Sequence, residues 1–106
     1  MQKYAVVYTP RVKKKLIDFF ELIMVGYANY FSAIATIDKI RKKCQYLATA
    51  PKACAVAMKI GGRDFRLARV KRYTIVYYID EDSKTVHAMS VEYSRRDIES
   101  VIKKMA

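Results

Sequence analysis

Strand-like alternation of hydrophobic and polar residues dominates the C-terminal half of the chain. Three runs rich in β-branched and aromatic residues follow one another closely: Phe65–Val70, Tyr73–Ile79 and Thr85–Tyr93. Lys71 and Arg72 form the first connection, and the turn-forming residues 80–83 form the second. The pattern predicts an antiparallel three-stranded meander with basic residues on its first strand and first turn.

The N-terminal part of the chain begins with a strand and a helix. The run Lys3–Tyr8 predicts a short strand, after which Thr9 suits an N-cap and Pro10 the first helical position. Apolar residues then recur at helical spacing: Val12, Leu16, Phe19, Phe20 and Ile23. The basic trio Lys13–Lys15 falls mostly on the other face, where we expect it to be solvated, and Gly26 is the expected end of the helix.

A second helix is predicted to begin at Asn29 or Ser32 and to end before Pro51. Its narrow apolar seam steps by three and four residues: Ile34, Ile37, Ile40, Cys44 and Leu47. Four basic residues crowd its predicted last turns, where cations complement the helix dipole: Lys39, Arg41, Lys42 and Lys43. The short connection between the two helices predicts an antiparallel hairpin.

Periodicity is lost between the second helix and the meander. We interpret Lys52–Asp64 as a loop that borders the sheet, with a short strand at Met58–Ile60 as the alternative and a turn at Gly61-Gly62. After the meander, Ser94 and Asp97 have the spacing of a capping box that opens a last helix. The apolar stripe of this helix consists of Ile98, Val101, Ile102 and Met105.

Together these elements predict one α+β domain that spans residues 1–106. The helical hairpin has to cover one face of a small antiparallel sheet to bury its seam. The first strand must join an edge of the meander, and the C-terminal helix completes the fold. A two-residue turn at Lys71-Arg72 would place Arg66 with Tyr77, and a three-residue turn would place Arg66 with Tyr78.

The net charge of the chain indicates which class of partner it binds. The chain carries 21 Lys and Arg against 10 Asp and Glu, a net charge of +11, which favours nucleic acid, a ribosome or an acidic protein as partner. Cys44, Cys54 and the single His make no metal-ligand set, and we expect two reduced thiols and no cofactor. Neither a membrane span nor a secretory signal is recognisable, so we expect a cytoplasmic protein.

With this order of elements, the chain resembles the RelE/ParE superfamily of type II toxin–antitoxin toxins. The likeness is carried by Tyr4–Pro10 (YAVVYTP), Arg66 with Leu67 and Val70, Tyr73–Tyr78 (YTIVYY) before Asp80, and Val91–Ile98 (VEYSRRDI). It implies a small toxin that an acidic antitoxin neutralises by wrapping its surface in a toxin–antitoxin hetero-oligomer. RelE-like members cleave ribosome-bound mRNA, whereas ParE-like members poison DNA gyrase.

The resemblance also points to individual positions. Arg66 matches a basic residue that the family often has on its second strand, and Arg95–Asp97 match a tract common in ParE-like members. RelE-like nucleases often have Arg where this chain has Thr74, and a C-terminal Tyr where none follows Tyr93. These departures favour a ParE-like gyrase poison. A RelE-like endoribonuclease and an inactive, partner-binding relative are the alternatives.

RNA cleavage without a metal needs a base, an acid and cations that stabilise the phosphorane. If the chain is a nuclease, the expected catalytic residues are Arg66, Tyr93 and Arg95. The residues expected to bind phosphate are Lys59, Arg63, Arg66, Arg69, Lys71, Arg72 and Arg96. His87 shares strand parity with Met89 and Val91 and is expected in the core or at an edge, and Glu92 is expected on the face opposite Tyr93. The residues therefore favour phosphate binding over catalysis.

Overall fold

The computed structural model of the protein describes residues 3–93 and 98–105. The chain forms β1 (Ala5–Tyr8), α1 (Pro10–Tyr27), α2 (Tyr30–Thr49), β2 (Val56–Ile60), β3 (Arg63–Val70), β4 (Tyr73–Asp80), β5 (Thr85–Tyr93) and α3 (Ile98–Met105). Ser94 and Asp97, the predicted capping pair of the last helix, lie outside the described residues. None of the described helices combines the length and the apolar character that crossing a membrane requires.

All strands belong to one five-stranded sheet in the order β1-β5-β4-β3-β2. The predicted meander is present as β3, β4 and β5, and β1 joins its edge. The strands β1 and β5 run parallel, with Ala5 opposite Thr85 and Tyr8 opposite Ala88. The predicted α+β architecture is therefore confirmed, and the sheet has one strand more than predicted and one parallel pair.

The additional strand, β2, lies in the segment that was predicted to be a loop. Residues of β2 pair antiparallel with β3, so the loop interpretation of Lys52–Asp64 is wrong there and the alternative strand at Met58–Ile60 is confirmed. Gly61 and Gly62 form the hairpin turn with φ values of 62° and 77°, which favour glycine. Three of the five residues of β2 are exposed at the sheet edge, and only Met58 and Ile60 alternate with exposed neighbours, so the pattern in the sequence is short.

A two-residue turn connects β3 and β4. Arg66 lies opposite Tyr77, which decides between the two predicted registers. Lys71 has a φ of 54°, in the left-handed region. The turn leaves Lys71 and Arg72 exposed at the end of the β3–β4 hairpin.

An irregularity in β5 changes which of its residues share a face. The pairing of β4 with β5 shifts at Met89, which is an extra residue in the ladder. Val91, beyond the shift, lies in the core under the helical hairpin, whereas His87, before it, stacks on Tyr78 with ring centroids 4.7 Å apart. The prediction that His87 and Val91 share a face is therefore wrong, because a period of two residues fails across a bulge.

Two apolar layers hold the sheet between the helices. The larger layer lies under α1 and α2 and consists of Val12, Leu16, Ile40, Cys44, Leu47, Ala68, Ile75, Tyr77, Val86, Ala88 and Val91. The smaller layer lies under α3, where Ile102 packs with Phe65 and Val76. The predicted helical stripes thus supply most of the core, although Ile34 of the α2 seam remains 42% exposed.

Local signals predicted the helix starts better than the helix ends. Thr9 and Asn29 cap α1 and α2 by accepting backbone hydrogen bonds in the first turn, as predicted. The helix α1 ends at Tyr27 and not at Gly26, and Ala28 takes the left-handed conformation after it, with a φ of 49°. In this chain the helix stop therefore does not require the glycine.

The basic cluster of α2 lies in the middle of the helix. The helix continues to Thr49, and no basic residue lies in its last turn. The explanation of Lys39–Lys43 through the helix dipole is therefore wrong, because that interaction falls off within the last turn. The role of these basic residues therefore has to come from their tertiary surroundings, which for Lys39 are described below.

Candidate functional site

The predicted phosphate-binding residues separate into three places in the fold. They are the β3–β4 turn with Lys71 and Arg72, the middle of β3 with Arg66 and Arg69, and the β2–β3 hairpin with Lys59 and Arg63. Arg95 and Arg96 lie outside the described residues. Among residues 3–93 and 98–105, the predicted set is therefore not gathered into one site.

The β3–β4 turn forms one wall of a pocket of about 610 Å³, hereafter the turn pocket. The N-terminal half of α2 forms the facing wall. The pocket brings together Lys71, Arg72 and Tyr93, which were singled out from the sequence, with Lys39 and Tyr73, which were not. No local signal marks Lys39, because its place beside the turn arises only when the helical hairpin packs on the sheet.

Lys39 and Lys71 carry like charges at close range in the turn pocket. Lys39 and Lys71 both line this pocket, and the interaction with the like-charged Lys71 side chain lowers the pKa of Lys39 below its ordinary value. Both side chains are exposed, and neither forms an ion pair with a described residue. This wall of the pocket is therefore strongly positive.

Aromatic rings form the base of the turn pocket. Tyr73 lies between Phe19, at a centroid distance of 4.9 Å, and Tyr93, at 5.8 Å. Nη1 of Arg72 lies 3.4 Å from the Tyr93 hydroxyl oxygen and donates to it. The pocket thus combines cations with partly exposed aromatic rings, the two features by which proteins hold unpaired nucleotides.

Arg66 is engaged in holding the segment that follows α2. Its Nη1 donates to the carbonyl oxygen of Cys54 at 2.5 Å, and the neighbouring Tyr77 hydroxyl donates to the carbonyl oxygen of Pro51 at 2.8 Å. Burial raises the pKa of Tyr77, so its hydroxyl stays protonated and remains a donor. Arg66 therefore has a structural partner, while Arg69 on the same strand is exposed.

Lys59 and Arg63 lie at the far end of the sheet from the turn pocket. Lys59 pairs with Asp64, with Nζ and Oδ1 3.6 Å apart. The Arg63 guanidinium lies 4.6 Å from the ring centroid of Tyr78, which in turn stacks on His87. These contacts give both cations local partners.

A buried carboxylate at the end of β5 was not recognised from the sequence. Glu92 is only 1% exposed, and its oxygens lie 3.4 Å from Lys15 Nζ and 3.6 Å from Arg11 Nη2. The Ser90 hydroxyl donates to Oε2 of Glu92 at 2.5 Å. The expectation that Lys15 belongs to a solvated face is therefore wrong, because this lysine neutralises a charge that β5 buries.

Thr74 lies beside this carboxylate. It pairs with Glu92 across β4 and β5 and is itself only 1% exposed. Tyr93, one residue further along, pairs with Tyr73 and faces the turn pocket instead. The expectation that Glu92 and Tyr93 face opposite ways is thus confirmed.

An apolar groove runs along the helical hairpin. Its volume is about 690 Å³, and its lining includes Ile17, Phe20 and Ile37, with Lys13 and Arg41 beside them. Ile17 is 57% exposed. A contiguous apolar surface with charged neighbours is typical of a protein-binding site.

A family model matches most of the chain. The model is that of the ParE toxin of type II toxin–antitoxin systems (parDE), and it matches residues 6–98. None of the curated proteins compared with the chain matches it in sequence. The match covers both helices of the hairpin, the sheet except Ala5, and the first residue of α3.

Solved structures with a similar fold include both RelE and ParE systems. A mutant of the E. coli toxin RelE in the free state has a TM-score of 0.68 at 15% identity, over 98% of this chain and 99% of that chain. A chromosomal ParDE system from P. aeruginosa has a TM-score of 0.68 at 10% identity, over 88% and 98%. The RelBE2 toxin–antitoxin complex from Mycobacterium tuberculosis has a TM-score of 0.64 at 18% identity, over 88% of this chain and 93% of that chain. At these identities the similarity concerns the fold alone.

Proposed function

The chain belongs to the ParE toxin family and is a toxin of a type II toxin–antitoxin system, and from this premise we propose that it arrests growth by binding DNA gyrase and does not cleave RNA. The observation that carries the proposal is the state of Thr74 and Glu92. In RelE-like nucleases the position of Thr74 often holds an arginine, by the resemblance described above. Here the position is closed to solvent and adjoins a carboxylate that is already neutralised.

The remaining acid–base candidates support the same proposal. Tyr93 and Glu92 lie on opposite faces of β5, so they cannot act on one phosphodiester together. His87 stacks on Tyr78, and the Arg63 guanidinium lies over the Tyr78 ring. These three side chains lie away from the turn pocket. A general base and a general acid are thus not gathered around one reacting phosphate among the described residues.

The test uses purified components. The chain is added to DNA gyrase with plasmid DNA and, separately, to a translation extract that holds a defined mRNA. We expect a loss of supercoiling or an accumulation of gyrase-linked DNA breaks, together with intact mRNA. Codon-specific mRNA cuts in the extract, with gyrase unaffected, would overturn the proposal.

One observation favours a RelE-like endoribonuclease as the second candidate. The turn pocket places the Tyr93 hydroxyl next to Arg72, with Lys39 and Lys71 nearby, and such a set could hold a phosphate beside a phenol. If the chain cleaves RNA there, Tyr93→Phe should slow cleavage by about 100-fold. We expect instead that Tyr93→Phe arrests growth as the wild type does. Normal growth with the wild-type chain would indicate an inactive, partner-binding relative.

The same proposal includes an acidic antitoxin that binds the helical hairpin. The apolar groove at Ile17 and Phe20 suits the apolar face of an amphipathic segment. Its lining holds two cations, Lys13 and Arg41, against one acid, Glu21, which favours acidic side chains on that segment. The net charge of +11 favours an acidic partner over the whole surface.

Co-expression with the product of a neighbouring gene tests the partner. Ile17→Asp should weaken capture of an acidic partner and its rescue of growth. Val56→Asp is a matched control, because Val56 is an exposed apolar residue on β2, 42% exposed, away from the groove. Equal capture by both variants would place the antitoxin elsewhere on the chain.

A further inference from the structure

We propose that the turn pocket binds a phosphate of single-stranded nucleic acid between Lys39 and Lys71, with the adjoining base against Tyr93. The proposal depends on the geometry of this pocket and holds for a gyrase-bound DNA or an mRNA alike. It therefore stands or falls separately from the proposed target.

Neither lysine forms an ion pair with a described residue, whereas six other lysines do. The pairs at the surface include Lys42 with Asp38 at 3.0 Å, Lys59 with Asp64 at 3.6 Å, Lys84 with Glu81 at 3.0 Å and Lys103 with Glu99 at 3.6 Å. Lys39 and Lys71 instead line one pocket together. None of the described residues that line the pocket is acidic. An anion between two ammonium groups would relieve their repulsion and bond to both.

The shape of the site favours a single strand over a duplex. A volume of about 610 Å³ is that of a small-molecule pocket and admits one nucleotide. Bases in a duplex are stacked and paired, so their faces are not available to a tyrosine ring that lines the pocket. An unpaired base presents its face to such a ring, and stacking on an aromatic side chain stabilises it whatever the base.

A serine hydroxyl and an oriented tyrosine ring in the pocket wall suit the same ligand. Ser32 lies in the first turn of α2, and Arg72 is already hydrogen-bonded to the Tyr93 hydroxyl. The arginine thereby orients the ring against which the base would lie. The two lysines supply charge, the serine a hydroxyl and the tyrosine a surface, which together recognise a nucleotide and not a free anion.

The test measures binding of a fluorescent six-nucleotide single strand to the full chain by anisotropy over a range of salt concentrations. The double variant Lys39→Gln/Lys71→Asn removes both cations, and asparagine tolerates the left-handed backbone at position 71. The control Lys42→Gln/Lys103→Gln removes the same amount of charge from two exposed, paired lysines. We expect the site variant to bind at least tenfold more weakly and to lower the log–log salt slope by about 0.7, the value for one phosphate contact on a single strand. The control should change binding less than twofold.

Three further probes separate the sources of binding. A duplex of equal charge should compete poorly with the single strand, and inorganic phosphate should compete only weakly. An abasic strand should bind the wild-type protein about as weakly as the unmodified strand binds the Tyr93→Leu variant. Equal weakening in both double variants would show attraction by net charge alone and overturn the proposal. Competition by duplex as strong as that by single strand would also overturn it.

Discussion

Two clusters of cations flank the end of β5, and they differ in what neutralises them. Arg11 and Lys15 converge on the buried carboxylate of Glu92, and their role is to make that burial tolerable. Lys39 and Lys71 converge on each other, in a pocket whose described lining contains no acid. The comparison shows that positive charge in this chain has two uses, and that only the second leaves charge available to a ligand.

Removal of the buried carboxylate should have the largest effect on stability. We expect Glu92→Gln to lower the free energy of unfolding by about 2 kcal/mol, because Arg11 and Lys15 lose their countercharge while the amide keeps a hydrogen bond to Ser90. The figure lies below that for a fully buried pair since the Arg11 side chain is 46% exposed. Urea denaturation monitored by circular dichroism measures it.

Glu99 provides the control for this measurement. It pairs with Lys103 at the surface, where the carboxylate side chain is 62% exposed, so Glu99→Gln should leave the urea midpoint unchanged. If Glu92→Gln and Glu99→Gln behave alike, the two clusters do not differ as described.

Arg66 and Arg69 offer a second comparison on a single strand. Arg66→Ala should lower the free energy of unfolding by about 1 kcal/mol, because it removes the hydrogen bond to the Cys54 carbonyl and frees the segment after α2. Arg69→Ala should leave stability unchanged and lower the salt slope of single-strand binding by about 0.7. Denaturation and anisotropy on both variants provide the readout. A salt slope that falls only with Arg66→Ala would reverse the assignment.

The smallest expected effect concerns the proton of Lys39. Lys71→Asn should raise the pKa of Lys39 back toward its ordinary value, because the like charge beside it is gone. NMR titration of the lysine side chains measures this directly. An unchanged Lys39 titration would show that the two ammonium groups do not interact.

The sign of the pH dependence follows from that lowered pKa. The folded wild-type chain holds the Lys39 proton less tightly than the unfolded chain, so the repulsion opposes folding below the lowered pKa. This cost disappears as the pH rises through it toward the ordinary lysine value of about 10.4. Lys71→Asn should therefore be slightly more stable than the wild type near neutral pH and equal to it at high pH.

Much of the fold was predictable because its signals are local. Thr9 and Asn29 cap the two helices through hydrogen bonds within the first turn, so residue type alone predicts the helix starts. The strands of the meander are rich in β-branched and aromatic residues, which predicts them directly. The edge strand β2 was predicted only as an alternative to a loop, because three of its five residues are exposed and its apolar pattern is short. His87 was wrongly predicted to share a sheet face with Val91. The two-residue alternation of a regular strand does not reveal the bulge at Met89 between them.

The candidate site was only partly predictable because it is assembled by tertiary packing. Lys71, Arg72 and Tyr93 stand near turn and strand ends and were recognised, whereas Lys39 comes from a helix that reaches the turn only in the folded chain. Lys15 was taken for a solvated residue for the same reason, since the partner that neutralises it lies on the last strand. Distances between elements, and not residue types, decide which cations are free to bind.

The most direct test of the central claim is to map mRNA ends after a brief induction of the chain in cells, with plasmid supercoiling scored in the same cultures. We predict intact coding regions together with altered supercoiling or gyrase-linked DNA breaks. New mRNA ends within coding regions, with normal supercoiling, would contradict the claim and identify a ribosome-dependent nuclease.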